Sequence, residues 1–230
     1  MRSAITYRVS GNALMFAGLL WAIGTVLAPR GPMNTLAQVT PMVGPLWVAG
    51  YLVLGVAAVV WIPGIVALYK HFVEGEQETW ALAFVTVGVV GMTVTLITTV
   101  LVALAVPNFV RLASASPQPT SFEPAFAVLG SAIGSLIIVA PLLNWIALLL
   151  LSVAMMPDRA WPRTIVWGAM VCAVVEAIGP FLLVGHYTLP RLLLLLGFMY
   201  VIVLGGYISR LGRVPKPEAA APQPKVGTGA

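Results

Sequence analysis

Residues 125–155 read AFAVLGSAIGSLIIVAPLLNWIALLLLSVAM, and this run decides the fold. It holds no Asp, Glu, Lys, Arg or His. About 20 apolar residues suffice for a helix to cross ~30 Å of hydrocarbon. Lipid offers the backbone no hydrogen-bond partner, so a run this long is predicted to be a transmembrane helix.

Working outward from it, comparable runs lie near 9–28, 46–69, 80–106, 164–185 and 192–209. Composition agrees. Of 230 residues, 60% are hydrophobic and 8% charged, with mean hydropathy +1.00. A soluble domain carries about 25% charged residues. The expected fold class is therefore all-α: a polytopic membrane bundle of six transmembrane helices over residues 1–212. The tail 213–230, RVPKPEAAAPQPKVGTGA, is proline-rich and poor in large apolar residues, so it is expected to be disordered and cytoplasmic.

The first run could pass for a signal peptide, with Arg2 and Arg8 before it and Val26-Leu27-Ala28 after it. Pro29 at the would-be cleavage point and the length of the run favour a retained helix. Six crossings place both termini on one side. That side holds Arg2, Arg8, Lys70, Arg159, Arg163, Arg210, Arg213, Lys216 and Lys225, against Arg30, Arg111 and Arg191 opposite. The positive-inside rule makes it the cytoplasm. The net charge of +5 is thus a topology signal, and no nucleic-acid partner is expected. Tyr7, Trp47, Tyr69, Trp80, Trp161, Tyr187 and Tyr207 fall at helix ends, where aromatics anchor in the headgroup zone. Trp21, Trp61, Trp145, Trp167 and Tyr200 lie deeper, as packing or groove-lining residues.

Glu176 is the one charge deep in a span. It sits about twelve residues into the fifth helix, roughly 18 Å along the crossing. Ionised, it costs about 2.5 kcal/mol or more, so it should face the bundle and find a partner. Ala169, Ala173, Ala177 and Pro180 share its side of the helix, and small residues mark close helix contacts. No basic residue lies at that depth. Polar candidates are Asn144 in the fourth span and Thr95 and Thr99, four apart on one face of the third. A proton-titrating or cation-contacting site is one reading. The blander one is a neutral carboxyl hydrogen-bonded to the next helix, with threonines that bond their own backbone.

Other features are weaker. Gly130 and Gly134 form a GxxxG, read as helix packing within the chain or between copies. Pro63, Pro141 and Pro180 lie inside spans and free carbonyls there. "AIGTVLAP" (22–29) faintly echoes "AIGSLIIVAP" (132–141), as an inverted repeat would. His71 and His186 fall at opposite faces and read as interfacial residues. The sole cysteine, Cys172, has no disulfide partner and reads as a small buried hydrophobe. No P-loop, nucleophile elbow, HExxH or CxxC is present, so neither metal nor cofactor is expected.

The stretch RVSGNALMFAGLLWAIGTVLAP, the GIVALYKHF that ends the second span, and the spacing of the spans over about 200 residues resemble the bacterial six-helix membrane proteins catalogued as domain of unknown function 4386. The resemblance implies the fold and a bacterial inner-membrane location, and implies no activity. Three functions are weighed. The preferred one is a non-enzymatic accessory or structural subunit, or sensor, with the bilayer and other membrane subunits or a second copy as partners. The second is a small proton-coupled transporter using Glu176. The third is a lipid-acting enzyme with Glu176 as acid and base.

Overall fold

The structure is a computed structural model that describes residues 2–28, 31, 33, 35–73, 77–158, 161–182 and 189–211. Side chains are described from residue 6 onward, with 179–193 excepted. The chain is all-helical, without a strand among the described residues. The helices are α1 (Arg2–Leu27), α2 (Leu36–Val39), α3 (Pro45–Phe72), α4 (Glu78–Val100), α5 (Val106–Ala115), α6 (Glu123–Met155), α7 (Arg163–Leu182) and α8 (Leu189–Leu211). Five stretches of the described residues are long and apolar enough to cross a membrane: Thr6–Leu27, Pro45–Phe72, Glu78–Ala115, Pro119–Met155 and Leu194–Leu211. The run expected near 164–185 coincides with α7, with 183–185 outside the described residues. The tail 213–230 is outside them too.

The six long helices close into a ring. In order around it, α1 packs on α3, α3 on α4, α4 on α6, α6 on α7, α7 on α8, and α8 on α1 again. In lipid, close packing rather than the hydrophobic effect holds helices together. The tightest crossing joins α1 to α8. A Cβ at Gly205 would sit 2.6 Å from the Gly11 carbonyl oxygen and 2.7 Å from the Met15 nitrogen. Ser209 Oγ donates to Asn12 Oδ1 at 3.2 Å across the same seam. The start of α1 and the end of α8 therefore lie side by side.

The GxxxG of α6 does not make such a crossing. A Cβ at Gly134 meets nothing within 4 Å, and one at Gly130 would meet only backbone atoms of Met33, in the link after α1. Ser131, Ala132 and Ser135 beside them are exposed. Ala169 and Ala173 are buried between α7 and its neighbours, as small residues at a helix contact should be.

The link expected over 107–124 is largely helical. α4 passes through one π-helical turn, Leu101–Ala105, into α5. In that turn Val106 N–H bonds the Leu101 carbonyl, five residues back. The next bond of this kind would run from residue 107 to Val102, but Pro107 has no N–H. Trp47 Nε1 takes the freed Val102 carbonyl at 2.8 Å. Trp47 is accordingly fully buried, where helix-end position alone predicts a headgroup anchor. Trp161 is buried too, for a different reason: it stacks on Phe72, ring centroids 6.1 Å apart. Trp167, expected to pack inward, is instead 59% exposed.

Candidate functional site

The ring is not evenly filled. Around the start of α1 and the end of α8, side chains such as Leu14, Ile65, Leu68, Phe84, Leu151 and Leu204 form a packed core. In the opposite half the ring encloses a cavity of about 290 Å³, to which all six long helices contribute. Gly31 and Met33 of the link after α1 border it at that end. A second cavity of about 20 Å³ lies below, sharing Trp61, Asn144 and Leu148 with the first. One water needs roughly 10–15 Å³ measured this way, so the lower space holds about one and the upper many, or a small organic molecule.

Glu176 is carried into the larger cavity by α7. Its side chain is 2% exposed, and Oε1 has no hydrogen-bond partner. The carboxyl lies against α8 where that helix has a glycine. A Cβ at Gly197 would be 2.5 Å from Glu176 Oε1 and 2.6 Å from the Trp145 ring. Residue 197 thus has to be glycine for the carboxyl to stand where it does. The Gly197 amide is the polar group of α8 that faces it. Trp145 Nε1, at the same cavity, is a buried donor without a partner.

Across the cavity, α4 supplies Thr95, Thr98 and Thr99. Each hydroxyl donates to its own helix: Thr95 to Gly91 O at 2.8 Å, Thr98 to Val94 O at 2.7 Å, Thr99 to Leu96 O at 3.0 Å. Asn144 of α6 donates from Nδ2 to Thr95 Oγ1 at 3.1 Å. Its Oδ1 presses on Gly91, where any Cβ would clash with it. Asn144 and Thr95 thus cross-link α4 and α6 at the cavity wall. Thr99 and Glu176 border the same space without a bond to that pair. The other wall is aromatic. Trp21 lies 4.4 Å from Trp61 and 5.2 Å from Phe198, centroid to centroid.

Pro141 adds to the polarity. Lacking an N–H, it leaves the Ile137 carbonyl without its helical donor, and both residues border the cavity. Pro63 lies in α3 outside the cavity lining, where the neighbouring Gly64 carbonyl accepts from Ser10 Oγ at 2.7 Å.

A second polar group sits at the other end of the bundle. The Tyr7 hydroxyl and His71 Nδ1 share a hydrogen bond, and His71 Nε2 bonds Asp158 Oδ2 at 3.1 Å. An ionised carboxylate can only accept, so Nε2 is the donor in the second bond. This links α1, α3 and the α6–α7 connection. From sequence, His71 reads as an isolated interfacial residue, because its partners are 64 and 87 positions away. His186 lies outside the described residues. Among those residues no group of three His, Cys, Asp or Glu could hold a metal ion.

No family model matches the chain, and no curated protein or solved structure matches it either. The likeness to the six-helix group named above therefore rests on the quoted stretches alone.

Proposed function

We propose that this chain is a small proton-coupled carrier of a bacterial inner membrane. It would cross the bilayer six times, both termini cytoplasmic, with Glu176 exchanging a proton for solute in the central cavity. The observation that carries this is the Glu176 carboxyl: buried, with an unpartnered oxygen, on a cavity bordered by six helices. A carboxyl kept only for structure gains by hydrogen-bonding a neighbour, since an unpaired buried polar atom costs about 1–3 kcal/mol. An intramembrane carboxyl facing a cavity instead suits a proton or ligand that comes and goes. α7, the fifth crossing along the chain in this reading, has 20 residues and spans about 30 Å. The packed half lies on the cytoplasmic side, so the state described holds its cavity in the outer half.

The test is proton movement in proteoliposomes of phosphatidylethanolamine and phosphatidylglycerol, with a pH dye inside. Cationic, neutral and anionic solutes are added in turn under an imposed pH gradient. A solute-dependent flux that needs the protein and is lost in Glu176→Gln is expected. Flux retained in that variant, or none with any solute, overturns the reading.

A second reading, an accessory subunit or sensor without transport, draws on the outward face of α6 at Ser131, Ala132 and Ser135. It predicts a stoichiometric partner, or a second copy, retained through mild detergent.

A further inference from the structure

We infer that the solute is a protonated organic amine with an aromatic or alkyl body, its ammonium group held by Glu176 against the aromatic wall of the cavity. This rests on the carrier reading and names its substrate class.

The cavity wall is mainly apolar, and the polar groups on it are mostly hydrogen-bond acceptors. A hydroxyl has one proton to give. Those of Thr95, Thr98 and Thr99 are already spent on the carbonyls of α4. Toward the cavity these oxygens can offer lone pairs only, and Thr95 already accepts from Asn144 as well. Asn144 Oδ1, buried without a partner beside the same space, is a further acceptor. The deepest group is a carboxyl with a bare oxygen. Against these stands the unpartnered donor Trp145 Nε1, with the hydroxyls of Thr25 and Tyr51 also bordering the space. Among the described residues no Lys, Arg or His borders the space. From these residues an anionic solute would meet no counter-charge and a surplus of lone pairs. A neutral solute would leave most of the acceptors unfilled. An ammonium ion supplies both N–H donors and the charge that pairs with Glu176.

The rings favour the same class. Phe198 follows Gly197, whose backbone touches the carboxyl, and Trp145 lies against the same glycine. Trp21 and Trp61 continue the aromatic wall from Phe198. Aromatic faces attract cations, most strongly where water is excluded, and ammonium groups are recurrent ligands of such walls. Their apolar area also suits the body of the amine. At about 290 Å³ the space has room for a single-ring amine.

The probe set is 2-phenylethylammonium, 2-phenylethanol and 3-phenylpropionate, which share a body and differ in the head. Saturable binding of each is measured to the full chain in nanodiscs, with empty nanodiscs subtracted. The ammonium ion should bind at least roughly 10-fold more tightly than the alcohol, and the carboxylate should not bind detectably. Glu176→Gln should erase the difference between ammonium and alcohol. Phe198→Leu, which keeps an apolar side chain and Glu176, should weaken the ammonium several-fold while leaving the alcohol unchanged. Equal binding of ammonium and alcohol by the wild type, or preference for the carboxylate, overturns the substrate class. In that event proton flux driven by a neutral or anionic solute leaves the carrier reading standing. If no probe binds, the class is overturned, and absence of flux with every solute removes the carrier reading too.

Discussion

The two halves of the bundle are made of the same apolar residues and differ in how their polar groups are spent. In the half that holds the start of α1 and the end of α8, polar groups are paired across helices. Tyr7, His71 and Asp158 form a chain, Ser10 bonds Gly64, and Ser209 bonds Asn12. Trp161 Nε1 is the exception, buried without a partner. In the other half the helices part around a cavity, and Glu176 and Trp145 keep unpartnered atoms on it. Paired groups stabilise a bundle. Unpaired ones weaken it and are what a ligand can use. On the proposed reading, structure falls to one half and exchange to the other.

Four changes would break or sharpen that contrast. The largest expected effect is at Glu176. Glu176→Gln should cut solute-dependent proton flux by roughly 100-fold, the scale of losing a charged contact that can take up and release a proton. Its resistance to SDS-driven unfolding in mixed micelles should stay near wild type. A loss of stability as large as that at His71 would erase the distinction between the halves.

His71→Leu probes the other half and should do the reverse. It strips Asp158 and Tyr7 of the imidazole that links them, a cost of about 2 kcal/mol in unfolding free energy. Flux per folded molecule should be unchanged. If flux falls as stability does, the end cluster belongs to the working site.

Gly197→Ala tests whether the carboxyl's position is what matters. The added methyl displaces Glu176 Oε1 and the Trp145 ring. Ammonium binding should weaken roughly 10-fold, about 1.4 kcal/mol. Unaltered binding would mean that Glu176 can shift freely and is not held in place by α8.

Thr95→Val should have the smallest effect. It removes the acceptor for Asn144 Nδ2 and should cost about 1 kcal/mol of stability. Ligand affinity should change by less than threefold, roughly 0.6 kcal/mol on the same scale. A larger loss of affinity would make Thr95 a principal contact of the ligand rather than one acceptor among several on the wall.

The local features were legible in the chain. Glu176 stands out as the only deep charge, and the alternation of apolar runs with short links marks the long helices. What was not legible follows from distance in sequence. Trp47 lies at a helix start, a place for a headgroup anchor, yet it is buried because Pro107, far along the chain, frees a carbonyl for it. Gly130 and Gly134 carry the familiar packing motif, yet the tight crossing is made by Gly11 and Gly205, which form no motif because they sit on different helices. His71 was unremarkable until folding brought Tyr7 and Asp158 to it. The link at 107–124 looks polar by composition, but Val106, Val110 and Ala113 share one side of a helix and are buried.

The sequence by itself determined the solvent, the helical class and the placing of the long helices. Each of these is a sum of local terms: the transfer of successive side chains into lipid, and the demand that every peptide group in that stretch be hydrogen-bonded. Only the tertiary structure decided which helices are neighbours. It closed the ring, left one half hollow, and set Glu176 beside Gly197 facing the threonines of α4. Lipid makes every apolar helix face nearly equivalent, so hydrophobicity cannot choose partners. Shape and the pairing of a few polar atoms across helices make that choice.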